Sequence, residues 1–360
     1  MNFIIYGLPS LIHPEIFEDE TSKGPRTQLA LDIKLNRARF PDCILLTRVG
    51  QFYEVHSTSR LDYWSLTILF ISIKSYFDQA TEVARLLGIK LASRSWGGSR
   101  VHMCGFPLGH LDRHLKVLVP QRKRFVALCE EFKVPDGFER RVVRIVTPGT
   151  LIDESFLDHY ENNYLVAISM GGSDSIGLAW IDVSTGEFFS QSSTIGELRD
   201  DLARISPKEV VLEKSLKSDK DHPLHRILGV DFASTTSYAS FECDLPNERP
   251  IIDGTPTFIS GGSYGSDEMA AIRLLTSFLK THLLEIMPEL PAPVHQSVET
   301  RMQIDSHTIA GLEIKQVMDG GGVKGSLLST IKRTVTSGGT RLLSRWLCDL
   351  YLPPKRCPMS

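Results

Sequence analysis

The run RVGQFYE at residues 48–54 places an aromatic ring and a carboxylate two positions apart, directly after the apolar stretch 43–46. In an extended chain residues i and i+2 point to the same face, so Phe52 and Glu54 would stand side by side. A ring next to a hydrogen-bonding group suits a protein that pushes a wedge between stacked bases and contacts the base it disturbs. The alternative is an ordinary strand with a core phenylalanine and a solvated glutamate.

Asp182, in the sequence IDVSTG at 181–186, is a second candidate for chemistry. A carboxylate on a strand directly before S-T-G is where a ribonuclease-H-like nuclease holds its first metal ion. Two-metal catalysis needs several converging carboxylates, and the sequence signals no partners for Asp182 on later elements. We therefore favour a turn-forming aspartate and keep a metal-dependent nuclease as an alternative hypothesis.

The remaining motifs argue against a cofactor or metal site. The run GGGVKGS at 320–326 has its lysine before the last glycine, which is the wrong order for a Walker A phosphate loop. The six cysteines form no C-x-x-C pair and have no histidines at metal-ligand spacing. We expect free thiols in a reducing compartment and no zinc. No apolar run approaches the ~20 residues of a membrane span, so no membrane partner is expected.

The charge of the chain is unevenly distributed. The formal net charge is −3, but residues 23–146 carry 21 Lys and Arg against 11 Asp and Glu. A basic region joined to an acidic remainder indicates that one part meets a polyanion. Arg48 and the cluster Arg122, Lys123 and Arg124 are the candidates for contacts with phosphates, with further arginines at 140, 141 and 144. Each cluster taken alone also fits a solvated surface.

Hydrophobic periodicity and turn signals predict two α/β units followed by helices. The first unit has predicted helices at 27–40, 79–87 and 108–119, and predicted strands at 43–47, 89–92, 101–106 and 125–129. The second has a meander of strands at 164–170, 175–183 and 186–191, a helix at 195–205 and a strand at 209–212. Beyond residue 263 the pattern predicts helices at 269–286 and 327–347. Residues 55–74 fit neither period and interrupt the first unit, and the tail 349–360 lacks pattern.

Eight segments recur in the order typical of one family: FPDCILL (40–46), GQFYE (50–54), MCGFP (103–107), VVRIVTPGT (142–150), DVSTG (182–186), GSLL (325–328), RTVT (333–336) and GTRLLSRWL (339–347). They resemble the MutS family of DNA mismatch repair proteins. The GQFYE version together with WGG at 96–98 is most similar to the fungal mitochondrial members.

The resemblance implies a domain organisation. After an irregular lead at 1–22 we expect a mismatch-recognition α/β domain at 23–146, with 55–74 as an anomalous insert. A ribonuclease-H-like connector domain without nuclease activity would follow at 147–262, and the start of an all-helical core domain at 263–360.

The resemblance also implies roles for individual residues. Phe52 would stack on a mispaired or unpaired base and Glu54 would hydrogen-bond that base. The expected DNA-binding residues are Phe52, Glu54, Arg48, Met103, Arg122, Lys123 and Arg124. The partner would be duplex DNA with mismatches or small loops, and full-length members of the family act as homodimers.

The sequence departs from the family pattern in several respects. Full-length members bind ATP and Mg²⁺ in an ATPase domain for which this sequence has no counterpart, so we expect no ATP binding or hydrolysis by these residues. The resemblance implies a mitochondrial location, but the acidic residues within 1–20 do not form a targeting signal, which leaves nucleus or cytoplasm open. If the insert disables the wedge, the chain would be an interaction module that docks repair partners.

We hypothesise that residues 55–74 are encoded by a short intron retained in the gene model. Their removal deletes 60 nucleotides, keeps the reading frame and joins Glu54 to Ser75. We expect sequencing of the transcript to find a mature message that lacks these codons. A message population that uniformly retains them would contradict the hypothesis.

Overall fold

A computed structural model describes residues 28–49, 72–96, 99–135, 137–152, 160–172, 174–219, 221–231, 235–240, 264–297, 302, 304–318 and 322–349. In these ranges the chain forms two six-stranded mixed sheets and nine α-helices. The predicted α/β class is confirmed. No helix within these ranges combines the length and the apolar character that crossing a bilayer requires.

The first sheet has the strand order β3-β4-β2-β1-β5-β6, in which only β1 and β5 run parallel. Its strands are β1 (Cys43–Val49), β2 (Ser72–Tyr76), β3 (Ala92–Trp96), β4 (Ser99–Pro107), β5 (Phe125–Val134) and β6 (Gly137–Val146). Helices α2 (Phe77–Leu87) and α3 (Leu111–Lys116) cover one face, and α1 (Gln28–Arg39) packs against the other. Alternate residues of β1 therefore enter two separate cores.

The second sheet has the strand order β11-β10-β7-β8-β9-β12. Its strands are β7 (Tyr164–Met170), β8 (Ser175–Asp182), β9 (Glu187–Thr194), β10 (Glu209–Glu213), β11 (Thr235–Ala239) and β12 (Val294–His295). The meander β7-β8-β9 confirms the sequence prediction. Helices α4 (Leu198–Ile205) and α5 (Pro223–Asp231) pack on one face, and α6 (Ser266–Leu283) on the other.

Helix α6 shares its core with the second sheet rather than with the later helices. Its residues Ile272, Leu275 and Phe278 are at most 1 % exposed and pack with Leu165 and Ala179 of the sheet. The boundary expected between 262 and 263 thus divides one packed unit. Sequence periodicity shows that a helix has an apolar face but does not show which surface covers that face.

Two sequence predictions of secondary structure were wrong. The strand expected at 89–92 begins only at Ala92, because Gly88 (φ 65°) ends α2 and the N–H of Ile89 still bonds the carbonyl of Ala84 at 3.0 Å.

The helix expected at 327–347 is divided into α8 (Leu327–Ile331) and α9 (Ser337–Cys348). Thr336 starts α9 as its N-cap, accepting a hydrogen bond from the N–H of Gly339 at 3.1 Å. Before these helices lies α7 (Ser306–Gly311).

The start of α6 lies against β8 at Gly177. A Cβ atom at Gly177 would overlap the backbone of Asp267 and Glu268. We expect Gly177→Ala to lower the free energy of unfolding by about 1–3 kcal/mol, because the helix must shift to admit a methyl group. Gly172, which has no atom near its Cβ position, provides the control. Urea unfolding should show an effect of Gly172→Ala within about 0.5 kcal/mol, and equal effects of both substitutions would contradict the packing argument.

Candidate nucleic-acid interface

The predicted wedge, Phe52 and Glu54, follows β1 in the sequence. Phe52 and Glu54 are outside the residues that the structure describes, whereas Arg48, Met103, Arg122, Lys123 and Arg124 are inside them. Strand β1 ends at Val49, which pairs with Ser72 at the start of β2. The part of the candidate DNA interface that the structure describes is therefore the end of the first sheet at Val49 and Ser72.

Arg48 is committed to an ion pair. Its Nη1 lies 2.9 Å from Oε2 of Glu130 on β5, and both side chains are about three-tenths exposed or less. The pairing follows from the sheet, because β1 and β5 run parallel with Thr47 opposite Cys129. The nearby carboxylate cancels much of the charge that Arg48 would offer to a phosphate.

Met103 lies one strand beyond β2. It is in β4, where it pairs with Tyr76 of β2 and Ala92 of β3, and its side chain packs at the edge of the core under α1. Strand β2 separates Met103 from Arg48, so the structure does not bring these two predicted site residues together.

The basic cluster Arg122, Lys123 and Arg124 lies at the opposite end of the sheet from the wedge. It directly precedes Phe125, which pairs with Cys43 at the beginning of β1. Val49 is six positions after Cys43 on the strand, which is about 20 Å at ~3.3 Å per residue. Arg124 also forms an ion pair with Glu82 on α2. Arg48 and the cluster 122–124 therefore lie at opposite ends of the paired strands β1 and β5.

Two arginines of β6 are likewise paired with acids. Arg140 lies between Glu131 and Asp32, with its Nη1 3.6 Å from Oδ2 of Asp32. Arg141 places its Nε 2.6 Å from Oε1 of Glu285 and its guanidinium 3.9 Å from the ring centre of Phe132. Apart from Glu285, these acids are already counted within residues 23–146, so the net positive excess of this region remains and the ion pairs only determine which arginines are committed.

The tip of the β5–β6 hairpin lies at the wedge end of the sheet, and sequence reasoning missed it. Because β5 runs parallel to β1, its last residues continue past the level of Val49. Lys133 and Phe138 pair there across the hairpin and both are exposed. The sequence VPDGF at 134–138 carried a signal, since Pro-Asp-Gly between apolar runs is typical of a tight turn. A cation and an aromatic ring thus stand beside the site of the predicted wedge.

Asp182 fastens a turn. Its Oδ2 accepts a hydrogen bond from the N–H of Asn163 and its Oδ1 one from the N–H of Ser184, both at 3.0 Å, and the side chain is fully buried. These bonds confirm the interpretation of Asp182 as a turn-forming residue. Within the described ranges, no group of three Asp, Glu, His or Cys side chains is arranged to hold a metal ion.

Glu209 on β10 is a buried carboxylate that sequence reasoning also missed. Its Oε2 accepts hydrogen bonds from Oγ1 of Thr147 at 2.5 Å and from the N–H of Gly149 at 2.8 Å, and Oε1 accepts one from Ser237. Burial raises the pKa of Glu209, against the lowering effect of these hydrogen bonds. Glu209 thereby clamps the turn at 147–150, which connects the two sheets, onto the second sheet.

Comparison with known proteins matches three stretches to one family. Residues 68–155 match the family model for MutS domain I, residues 163–248 that for MutS domain II and residues 307–349 that for MutS domain III. Phe52 and Glu54 precede the first matched stretch.

Similar proteins include bacterial sequences named DNA mismatch repair protein MutS. Identity is 31% with that of Rhizobium meliloti (94% of this chain, 36% of the relative), 33% with that of Roseobacter denitrificans (87% and 34%) and 34% with that of Orientia tsutsugamushi strain Boryong (90% and 35%). The chain spans about a third of the length of these relatives.

The buried carboxyl of Glu209 predicts a pH dependence of stability. Because its pKa is higher in the folded state than in the unfolded chain, the folded state binds the proton more tightly, and stability falls as pH rises from the ordinary glutamate range through the raised pKa. Glu209→Gln mimics the protonated form and should lose less stability than the wild type between pH 4 and 8 in urea unfolding. Glu213→Gln, at the other end of β10, is the control. Parallel pH profiles for wild type and Glu209→Gln would contradict the assignment.

Proposed function

Because this chain belongs to the MutS family of DNA mismatch repair proteins, we propose that it binds duplex DNA at mispaired or unpaired bases and at small loops. Phe52 is the wedge that stacks on the disturbed base, and Glu54 hydrogen-bonds that base. Discrimination arises from the ease with which a mispaired step is deformed, not from reading base edges.

The register between β1 and β2 is the observation that carries this proposal. Thr47, Arg48 and Val49 pair with Lys74, Ile73 and Ser72, so 22 residues (50–71) connect the paired ends. Antiparallel neighbours are most often joined by two residues. The connection therefore exceeds a tight hairpin by 20 residues, which is the length of the segment 55–74 that fits neither helix nor strand period.

Removal of residues 55–74 would restore a two-residue hairpin. Glu54 would then directly precede Ser75, so Phe52, Tyr53 and Glu54 would take the ladder positions that Ser72, Ile73 and Lys74 hold. The loop would be Gly50-Gln51, and glycine at the first loop position is what a type II′ turn requires. The pairing register of β1 and β2 and the lack of a helix or strand period in residues 55–74 thus both support the removal of this segment.

The faces of β2 support the roles of the wedge and the carboxylate. Ile73 is 2 % exposed and packs under α2, whereas its neighbour Lys74 points to the opposite face and is half-buried. In the shortened chain Tyr53 would occupy the core position. Phe52 and Glu54 would share the other face at the end of the hairpin, as a wedge and its adjacent hydrogen-bonding group require.

The energies involved favour mispaired sites. Unstacking a base step costs a few kcal/mol, and stacking an aromatic side chain on a base returns ~1–3 kcal/mol. Insertion of the ring at a matched step requires the full free energy of unstacking, whereas the stacking at a mispaired step is already weakened. Phosphates repel a carboxylate, so Glu54 adds selectivity where it gains a specific hydrogen bond.

One observation favours a second function for the 360-residue form. In this form Lys74 and Ser72 of β2 hold the ladder positions that Glu54 and Phe52 would take in the shortened chain. A cation in place of the carboxylate attracts any phosphate backbone without regard to pairing. In this form the protein would be an interaction module, or a binder of DNA without mismatch preference.

The residues present do not fit a nucleoside triphosphate. In the lysine-containing glycine run, Ser326 caps α8, accepting from the N–H of Ser329 at 3.2 Å and donating to the carbonyl of Val323 at 2.6 Å. The N–H of Gly325 bonds Oγ of Ser329 at 3.0 Å and the N–H of Ser326 bonds the carbonyl of Val323 at 3.1 Å, so these two backbone donors are already occupied. We therefore infer that these residues contribute DNA binding and no ATP hydrolysis, for which a phosphate-release assay is the test.

We further infer a mitochondrial location and a closer relation to fungal mitochondrial members of the family. The support is the combination of GQFYE with WGG at 96–98. A fluorescent fusion that stains the nucleus or the cytosol instead of mitochondria would refute the location. Homodimerisation belongs to the full-length protein, and sedimentation of that protein tests it.

Fluorescence anisotropy with matched, G·T-mismatched and single-base-bulge duplexes tests the proposal. The chain lacking 55–74 should prefer the defective duplexes about 5- to 150-fold, the range that ~1–3 kcal/mol of stacking supplies. Phe52→Ala in that chain should abolish the preference and leave salt-sensitive binding unchanged. Trp346→Ala, which removes an exposed aromatic of α9, should have no effect.

Two results would contradict the proposal. One is a shortened chain that binds matched and defective duplexes equally. The other is a Phe52→Ala variant that keeps the preference. If the 360-residue form discriminates as well as the shortened one, the wedge role survives and the disabling effect of the insert is refuted.

A further inference from the structure

The tip of the β5–β6 hairpin projects beyond the end of β1. These strands run parallel with Thr47 opposite Cys129, so Val49, the last residue of β1, stands level with Glu131. Three further ladder pairs follow on β5, at residues 132–134. At ~3.3 Å per residue they extend about 10 Å past Val49. A molecule that lies across this end of the sheet would therefore meet the hairpin tip.

Phe138 and Lys133 stand opposite each other on one face of this tip. Alternate residues of a strand share a face, so Phe138 continues the row formed by Val142 and Arg140 on β6. Val142 packs in the core under α1, and Arg140 forms an ion pair with Asp32 of α1. Phe138 and Lys133 therefore lie on the face of the first sheet that α1 covers.

The shortened chain would carry its wedge on the same face. Phe52 and Glu54 would take the ladder positions of Ser72 and Lys74. Tyr76, two positions after Lys74, packs in the core under α1, so these positions of β2 also face α1. Strands β1 and β5 lie between β2 and β6. Three inter-strand spacings of ~4.8 Å therefore separate the wedge from the row of Phe138, which is about 14 Å.

Both side chains of this pair lie at the surface. Phe138 is 48 % exposed, and Lys133 is exposed as well. On the same face, Glu131 is committed to an ion pair with Arg140. Glu139 belongs to the opposite face, because it is the neighbour of Phe138 on β6. Within the described part of the chain, the tip thus presents a ring and an ammonium group to solvent on the wedge face.

The hairpin as a whole carries no net charge. Residues 131–141 include three cations, at 133, 140 and 141, and three acids, at 131, 136 and 139. Long-range attraction therefore does not draw this tip towards DNA. Its contact depends on the short-range fit of one ring and one ammonium group, which requires a duplex that is already held in place.

We propose that Phe138 and Lys133 hold the DNA backbone beside the mispaired site after the wedge has entered the duplex, an inference that rests on the proposed function. A distance of 14 Å corresponds to about four base-pair steps of ~3.4 Å. At that distance the ring of Phe138 packs on a deoxyribose, and Nζ of Lys133 donates a hydrogen bond to a phosphate oxygen. Because the inserted wedge places the duplex, the contact adds affinity at mispaired sites and little at matched ones.

Fluorescence anisotropy with the chain lacking 55–74 tests this contact. Phe138→Ser and Lys133→Gln should each weaken binding to a G·T-mismatched duplex about 3- to 10-fold, and binding to the matched duplex less than about twofold. Lys214→Gln, which removes an exposed lysine after β10, is the control and should change neither affinity. Urea unfolding of each variant confirms that the fold is kept.

Photo-crosslinking locates the contact without relying on affinity. A benzophenone-bearing phenylalanine in place of Phe138 should crosslink to the mismatched duplex about 3–5 base pairs from the mismatch. The same probe in place of Trp346, which is exposed on α9, should give no crosslink at a defined position.

The outcomes separate this inference from the proposed function. If the parent chain prefers the mismatched duplex and both tip variants bind it as tightly as the parent, the hairpin contact is overturned and the wedge role stands. Crosslinks from position 138 without a preferred site, or equal weakening on matched and mismatched duplexes, also overturn the contact. If the parent chain itself shows no preference, the proposed function fails and the hairpin contact fails with it.

Discussion

Pairing between β1 and β2 determines which three residues stand opposite Thr47, Arg48 and Val49. The side-chain period of a strand is two, so a slip by one residue would expose Ile73 and drive Lys74 into the core. Burial of Ile73 therefore holds the register. If residues 55–74 were absent, this register would assign Phe52 and Glu54 to the ladder positions that Ser72 and Lys74 hold opposite Val49 and Thr47.

The distribution of charge has a different meaning in three dimensions than along the chain. Residues 23–146 carry a large positive excess, yet Arg48, Arg124 and Arg140 each lie against a carboxylate. Ion pairs of this kind contribute little stability when exposed, but they lower the potential that a DNA backbone would encounter.

The second sheet contacts the turn that precedes it, helix α6 and helix α9. Glu209 clamps the turn that follows the first sheet, Gly177 admits the start of α6, and Arg345 of α9 reaches Glu187 on β9. Each contact lies between elements that are far apart in sequence. The connector region thereby sets the position of the recognition region at one side and of the later helices at the other.

The sequence by itself determined the α/β class, the meander β7-β8-β9, the helices α1, α2 and α4, and the family, because periodicity and ordered motifs are local properties of the chain. It also singled out 55–74 as a segment that fits neither the helix nor the strand period. Only the tertiary structure decided that α6 packs on the second sheet, that the cluster 122–124 lies about 20 Å from the end of β1, and that Arg48 faces Glu130. The reason is that strand order and register, which bring distant residues together, depend on which surfaces bury each other, and no local pattern records that choice.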